Sequence, residues 1–259
     1  IKFEHNAANA PVALNGSLKI EETRAVPGIS AKLNTIAKIR GEYVIASKYD
    51  FWFLNADLSP KFHAAMDPWF SANVLDLVGI TALDKDAYVL MGSNKSLLRV
   101  RQNPEADDVQ GWPNFTAGRS HIEAVGGLGR ARIDTERAKF SYIHSSATDG
   151  RYVFMATVPD NKNKKQFVIS KALMKDWMLS GEFVPTAEML KKDRSLGELY
   201  VTGMVYEDGK LYAVSKNWNV LVVIDVAQEA VVEAWGLPEE LTDIRGLVKD
   251  GSTFEVIDA

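Results

Sequence analysis

The chain has 259 residues, 46% of them hydrophobic, and a formal net charge of -4. That charge argues against a nucleic-acid partner, which calls for a basic surface, and no run of 18 apolar residues is present to span a membrane. With no cysteine at all, the chain makes no disulfide, no thiolate nucleophile and no cysteine zinc site.

The sequence opens on Ile1 rather than Met, with no signal-like apolar stretch behind it, as expected of a piece trimmed from a longer protein. Residues 16–26 (GSLKIEETRAV) read as a strand. Residues 35–47 (TIAKIRGEYVIAS) predict two strands turning at Arg40-Gly41, and residues 50–58 (DFWFLNADL) a third. The pattern recurs at 79–92 (GITALDKDAYVLMG), turning between Asp84 and Asp86, with SLLRVR (96–101) behind it. It recurs again at 145–157 (SSATDGRYVFMAT), turning at Asp149-Gly150, with KQFVIS (165–170) behind it. The clearest copies are 203–215 (GMVYEDGKLYAVS) and 246–258 (GLVKDGSTFEVID), with turns at Asp208-Gly209 and Asp250-Gly251. Glycine at such turns supplies the positive φ that a tight hairpin demands. An aromatic residue opens each second strand: Tyr43, Tyr88, Tyr152, Tyr212 and Phe254.

In the best copy a third strand (VLVVIDVA, 220–227) and a fourth (AVVEAWGLP, 230–238) follow. Four short strands in about 40–45 residues are the period of a β-propeller blade. The expectation is an all-β chain: one β-propeller domain over 1–259, with five four-stranded blades. Six is the rival count, because the long gap between Tyr88 and Tyr152 has room for a degenerate blade. The last copy ends after two strands, so residues 16–26 are expected to complete the last blade and remove its exposed edge. An insertion is expected at about 102–137, rich in Gly, Pro and charge, and a short helix over 187–192.

The histidines are His5, His63, His121 and His144, and no two have the spacing of a helical metal pair. His144, in FSYIHSS, falls on the first strand of its blade; it either faces a central channel or is a hydrogen-bonded structural histidine. Arg40 and Arg245 are the other ionisable groups placed near first strands. Arg119, His121, Arg130 and Arg132 form a basic stretch in the insertion, suited to an acidic peptide or lipid head group if it is not simply solvated. GGLGR (126–130) lacks the following helix that a phosphate cradle needs. Lys162, Lys164 and Lys165 crowd one loop, DNKNKK, between second and third strands. They are either a solvated hairpin tip or a contact for anionic head groups, at about 1 kcal/mol per lysine near such a surface. No catalytic residue and no metal site is assigned. Turn geometry accounts for the recurring aspartates.

Residues 140–185 (FSYIHSSATDGRYVFMATVPDNKNKKQFVISKALMKDWMLSGEFVP) resemble the soluble part of DsbI-type members of the bacterial disulfide bond formation protein B family. LGELYVTGMVYEDGKLYAVSKNWNVLVVIDVAQEAVVEAW (196–235) carries the same resemblance, and more distantly the blades are similar to other bacterial periplasmic propellers. The resemblance implies a non-catalytic periplasmic propeller, tethered to the inner membrane by a preceding DsbB-like unit that holds the redox cysteines and a quinone. It implies no cofactor in this domain and a protein partner, a periplasmic thiol oxidoreductase or its substrate. A cysteine-free platform beside a dithiol relay avoids stray mixed disulfides. The residues themselves leave a second reading open: a free-standing propeller enzyme, hydrolase or lyase, or a ligand-binding propeller, with its site in the central channel.

Overall fold

The computed structural model of the chain describes residues 6–26, 28–29, 31–48, 50–66, 76–82, 87–94, 97–101, 115–117, 122–124, 142–176 and 178–259. The fold is all-β and propeller-type. Among the described residues there is no α-helix, and no helix long and apolar enough to cross a membrane. Contacts divide the chain into two compact units, Ile1–Thr23 with Asp134–Ala259, and Arg24–Ile133.

The first strand, β1 (Gly16–Ser17), finds its partner late in the chain. In the unit Arg24–Ile133, β2 (Thr35–Ile39), β3 (Glu42–Ala46), β4 (Asp50–Leu54) and β5 (Pro60–Met66) pair in sequence as an antiparallel sheet. A second sheet joins β6 (Leu77–Ala82), β7 (Ala87–Gly92) and β8 (Leu97–Arg101). The insertion predicted at 102–137 contributes a strand to each: β9 (Phe115–Ala117) runs parallel to β5, and β10 (Ile122–Ala124) antiparallel to β8. The β2–β3 turn bears out its sequence: Arg40 and Gly41 sit at φ 53° and 79°, the paired positive values of a tight hairpin.

Among the described residues the other unit holds three sheets. β11 (Ile143–Thr148), β12 (Tyr152–Thr157), β13 (Ile169–Leu173) and β14 (Leu179–Phe183) form the first. A two-residue strand, β15 (Thr186–Ala187), leads to the second: β16 (Val201–Glu207), β17 (Lys210–Ser215), β18 (Val220–Asp225) and β19 (Ala230–Gly236). The third is the hairpin β20 (Ile244–Asp250) and β21 (Thr253–Asp258). Five sheets are thus described.

The middle sheet shows why VLVVI reads as an unbroken apolar run. Val220, Val222 and Ile224 of β18 face a core shared with Phe154, Phe167 and Ile169. Leu221 and Val223, on the opposite face of the same strand, pack with Ile244 and Leu247 of β20. A strand buried on both faces needs hydrophobic residues at every position, not alternate ones.

Three expectations are corrected. Residues 16–26 do not complete the last sheet. Gly16 and Ser17 pair in parallel with Trp235 and Gly236 of β19, one sheet earlier. Asn15 directs this choice: its backbone N–H bonds Ala234 O at 2.7 Å, and its Oδ1 accepts from Ala234 N at 2.9 Å. Gly16 then lies flat against the Trp235 ring, where a Cβ would fall 2.7 Å from a ring carbon. Residues 187–192 are not a helix, because tertiary pairing takes their backbone groups. Ala13 N bonds Met189 O, Lys191 N bonds Pro11 O, and β15 runs parallel to β19. The strand expected at 165–170 begins at Ile169, because Lys164 and Lys165 both adopt positive φ and extend the turn.

Candidate functional site

The first strands of three consecutive sheets, β11, β16 and β20, lie side by side. Each carries a β-bulge in its first half: between Ile143 and Ser145, between Val201 and Gly203, and between Arg245 and Val248. A bulge adds an unpaired residue and re-aims the side chains around it, which is why bulges gather beside functional sites. His144 is the extra residue of the first bulge. Neighbouring strands are clamped together here: Thr202 Oγ1 donates to Ile244 O at 2.5 Å, and Gly203 lies directly against Gly246.

At this end of the strands five polar side chains converge. The Tyr200 hydroxyl and His144 Nε2 are 3.0 Å apart, with the rings edge to face at 4.7 Å. Arg245 Nε and Lys216 Nζ both lie 2.9 Å from Asp243 Oδ1. Lys216, Asp243 and Arg245 retain 12%, 14% and 16% side-chain exposure, little enough for water to screen them weakly.

The local sequence positions each group. Tyr200 stands just ahead of β16, held by Asn217, whose Oδ1 accepts from Tyr200 N at 2.9 Å and whose Nδ2 donates to Glu198 O at 2.6 Å. Behind it, the 3-10 turn Leu196–Glu198 is closed by a Ser195–Glu198 capping box. Lys216 leaves β17 with its backbone N–H on Tyr200 O at 2.9 Å. Asp243 is anchored from the far strand, with its N–H bonded to Asp258 Oδ1 at 2.8 Å.

The electrostatics follow from burial and from two cations sharing one carboxylate. Burial first, then the charges of Arg245 and Lys216, push the His144 imidazole from 6.5 down to about 4, so it is neutral at pH 7. Burial pushes the Tyr200 phenol up, with Arg245 opposing. Both members of the Tyr200–His144 hydrogen bond are therefore neutral at pH 7.

Since the unfolded chain protonates His144 near 6.5 and the folded one only near 4, its contribution is complete above pH 6.5 and is lost as the pH falls toward 4. Relative to pH 8, the loss at pH 5 is about 2 kcal/mol. Urea unfolding of wild type and His144→Gln across this range checks it: the difference between their pH profiles is expected to have that size and sign.

Among the predicted site residues, His144 lies in this cluster and Arg245 joins it. Arg40 sits in the exposed β2–β3 turn. Lys162, Lys164 and Lys165 are exposed on a folded 3-10 turn rather than a loose tip. Asp160 and Asn163 close that turn as a capping box, and Asn163 is buried with its Nδ2 on Val158 O at 3.0 Å. The Lys162 ammonium stands 5.6 Å from the Tyr142 ring centre. Arg119, His121, Arg130 and Arg132 lie outside the described residues. His63 pairs with Asp50 at 2.9 Å and stacks on Trp52 at 4.8 Å, a cross-strand arrangement within its own sheet. Among the described residues no three His, Asp or Glu side chains gather as metal ligands do. Sequence reasoning missed Tyr200, Lys216 and Asp243. The signal to be had was position: each is a polar residue just outside the end of a first or second strand.

No family model matches the chain, and no curated protein matches it in sequence. Solved structures match in fold. The crystal structure of Myxococcus xanthus glutaminyl cyclase is 10% identical, with 88% of this chain and 92% of that chain covered and a TM-score of 0.55. The WD40 β-propeller domain of Doa1 is 7% identical over 89% of this chain and 62% of that chain, with a TM-score of 0.47. At such identities the likeness shows the fold alone.

Proposed function

We propose that this chain is a ligand-binding propeller whose site is the His144–Tyr200–Lys216–Asp243–Arg245 cluster, and that it takes a small molecule bearing a carboxylate. The observation that carries this is the gathering of charge: two weakly exposed cations on a single Asp243 oxygen, beside a histidine held neutral. A ligand carboxylate adds a second negative charge and accepts hydrogen bonds from both cations, and charge-assisted bonds of this kind are the strong ones. Binding is favoured over base catalysis because an imidazole near 4 is a weak base at neutral pH. Calorimetric titration with pyruvate and pyroglutamate tests the reading. Wild type is expected to bind at least one of them, and Lys216→Met and Arg245→Met each to weaken binding by about tenfold or more. Wild type that binds neither overturns it.

The fold likeness to a glutaminyl cyclase supports a second reading, an enzyme-like propeller in which Tyr200 donates to a developing oxyanion. Release of ammonia from a peptide with N-terminal glutamine, lost in Tyr200→Phe, is its test. The docking role implied by the DsbI-type resemblance, which covers about residues 30–259 and is strongest at 140–235, is a third reading. A coding sequence upstream of Ile1 with several apolar segments and paired cysteines would favour it, and a cleavable signal peptide alone would sink it.

A further inference from the structure

We propose a second binding site, in an open cleft between the last two sheets, that takes a small organic cation: a protonated amine or quaternary ammonium carried on an apolar ring body. The cleft shares no residue with the His144 cluster and does not depend on the carboxylate reading.

The cleft follows from the unequal size of the two sheets. Among the described residues β20 and β21 form a bare hairpin, and β20 lies along β16 and β17 of the larger sheet. The outer strands β18 and β19 therefore reach past β20, and a cleft of about 430 Å³ opens there. Small-molecule sites span roughly 300–1,000 Å³.

Register decides what the cleft offers. Tyr212 pairs with Val223 and Val223 with Glu233, so the three form one row across β17, β18 and β19 and share a face. Leu221 and Trp235 form the next row on that face. From the hairpin, Phe254 brings its ring centre to 5.7 Å from that of Tyr212. All six line the cleft. Its walls are apolar and aromatic, with one carboxylate where strand alternation calls for an apolar side chain.

The charges select the ligand. The Lys249 ammonium lies 2.6 Å from both Glu207 Oε1 and Gly251 O, so Glu207 matches its charge. That ammonium stands 5.2 Å from the Tyr212 ring centre and 5.9 Å from that of Phe254, so these rings already hold one cation. Among the described residues Glu233, half-buried, has no hydrogen bond and no ion-pair partner. An organic cation supplies the missing charge. It lays its apolar body over Leu221 and Val223 and turns its positive end to Glu233 and Trp235, indole being the ring that attracts cations best. An anion meets Glu233 as a repulsive neighbour, and an uncharged body gains burial alone.

Calorimetric titration with tryptamine, which is protonated at neutral pH, and with tryptophol, the same indole body ending in a hydroxyl, tests the proposal. Wild type is expected to bind tryptamine, and tryptophol about tenfold more weakly or worse. Glu233→Gln is expected to weaken tryptamine about tenfold and leave tryptophol unchanged, a split that a general loss of structure would not produce. Trp235→Phe is expected to weaken both. A thermal melt establishes that each variant is folded; Glu233→Leu replaces the Gln variant if it is not. Wild type that does not bind tryptamine, or binds tryptophol equally well, overturns the proposal. So does tryptamine affinity that is indifferent to Glu233, or binding of both compounds that Trp235→Phe leaves unchanged.

Discussion

Replacing Gly203 by alanine will lower stability by about 3 kcal/mol and abolish carboxylate binding. A Cβ at this position would lie 2.6 Å from the carbonyl oxygen of Gly246, 2.8 Å from its Cα, and closer still to its carbonyl carbon. All three are backbone atoms of the adjacent first strand, so no side chain can swing aside and β16 must part from β20. Thr202 and Ile244, bonded at 2.5 Å on the same seam, separate with them. The movement also carries Asp243 and Arg245 on β20 away from Tyr200 and Lys216, so binding and stability fall together. Gly41→Ala is the control. Gly41 has φ 79° but nothing within 4 Å of an added Cβ, so only backbone strain is incurred, about 1 kcal/mol. Urea unfolding midpoints measure both variants, and equal losses would refute the close-approach argument.

The second large effect is at Asp243, where stability and binding move in opposite directions. Asp243→Asn keeps the shape but removes the carboxylate shared by Lys216 and Arg245, whose Nζ and Nε both sit 2.9 Å from Oδ1. Breaking one side of a weakly exposed ion pair costs about 3 kcal/mol, since the charges left behind stay poorly solvated. The same change removes an internal competitor for the two cations, so pyruvate affinity rises and added pyruvate restores stability by mass action. Thermal melts with and without pyruvate read both effects. An Asp243→Asn variant that is destabilised and also loses pyruvate binding would show that Asp243 serves only to hold the cations in place.

Much of the fold was legible in the sequence because its elements are local. Arg40-Gly41 and Asp208-Gly209 announce hairpins through backbone conformations that neighbouring residues alone dictate. The unbroken run at 220–224 announces a strand covered on both faces. Two of the three errors fall where partners are distant in sequence; the third, the start of β13, is set by the positive φ of Lys164 and Lys165. Residues 16–26 read equally well as a strand for any open edge, and the choice of β19 was made by Asn15 bonding Ala234. Residues 187–192 carry helix-forming residues, yet Met189 and Lys191 give their backbone groups to Ala13 and Pro11. Propensity acts within a few residues and was overridden by pairing across most of the chain.

The candidate site divides the same way. His144 and Arg245 could be picked out because each sits on a first strand of a visible repeat. Tyr200, Lys216 and Asp243 are single polar residues in three different connections, with no motif among them. By itself the sequence determined the repeat, the all-β class, the hairpin turns and the absence of any thiol chemistry in this chain, since all of these follow from composition or short-range pattern. Only the tertiary structure decided which edge the N-terminal strand takes and which side chains meet. Bulges at His144, at Thr202 and between Arg245 and Val248 re-aim three adjacent strands, and burial keeps an ordinary histidine neutral beside two cations.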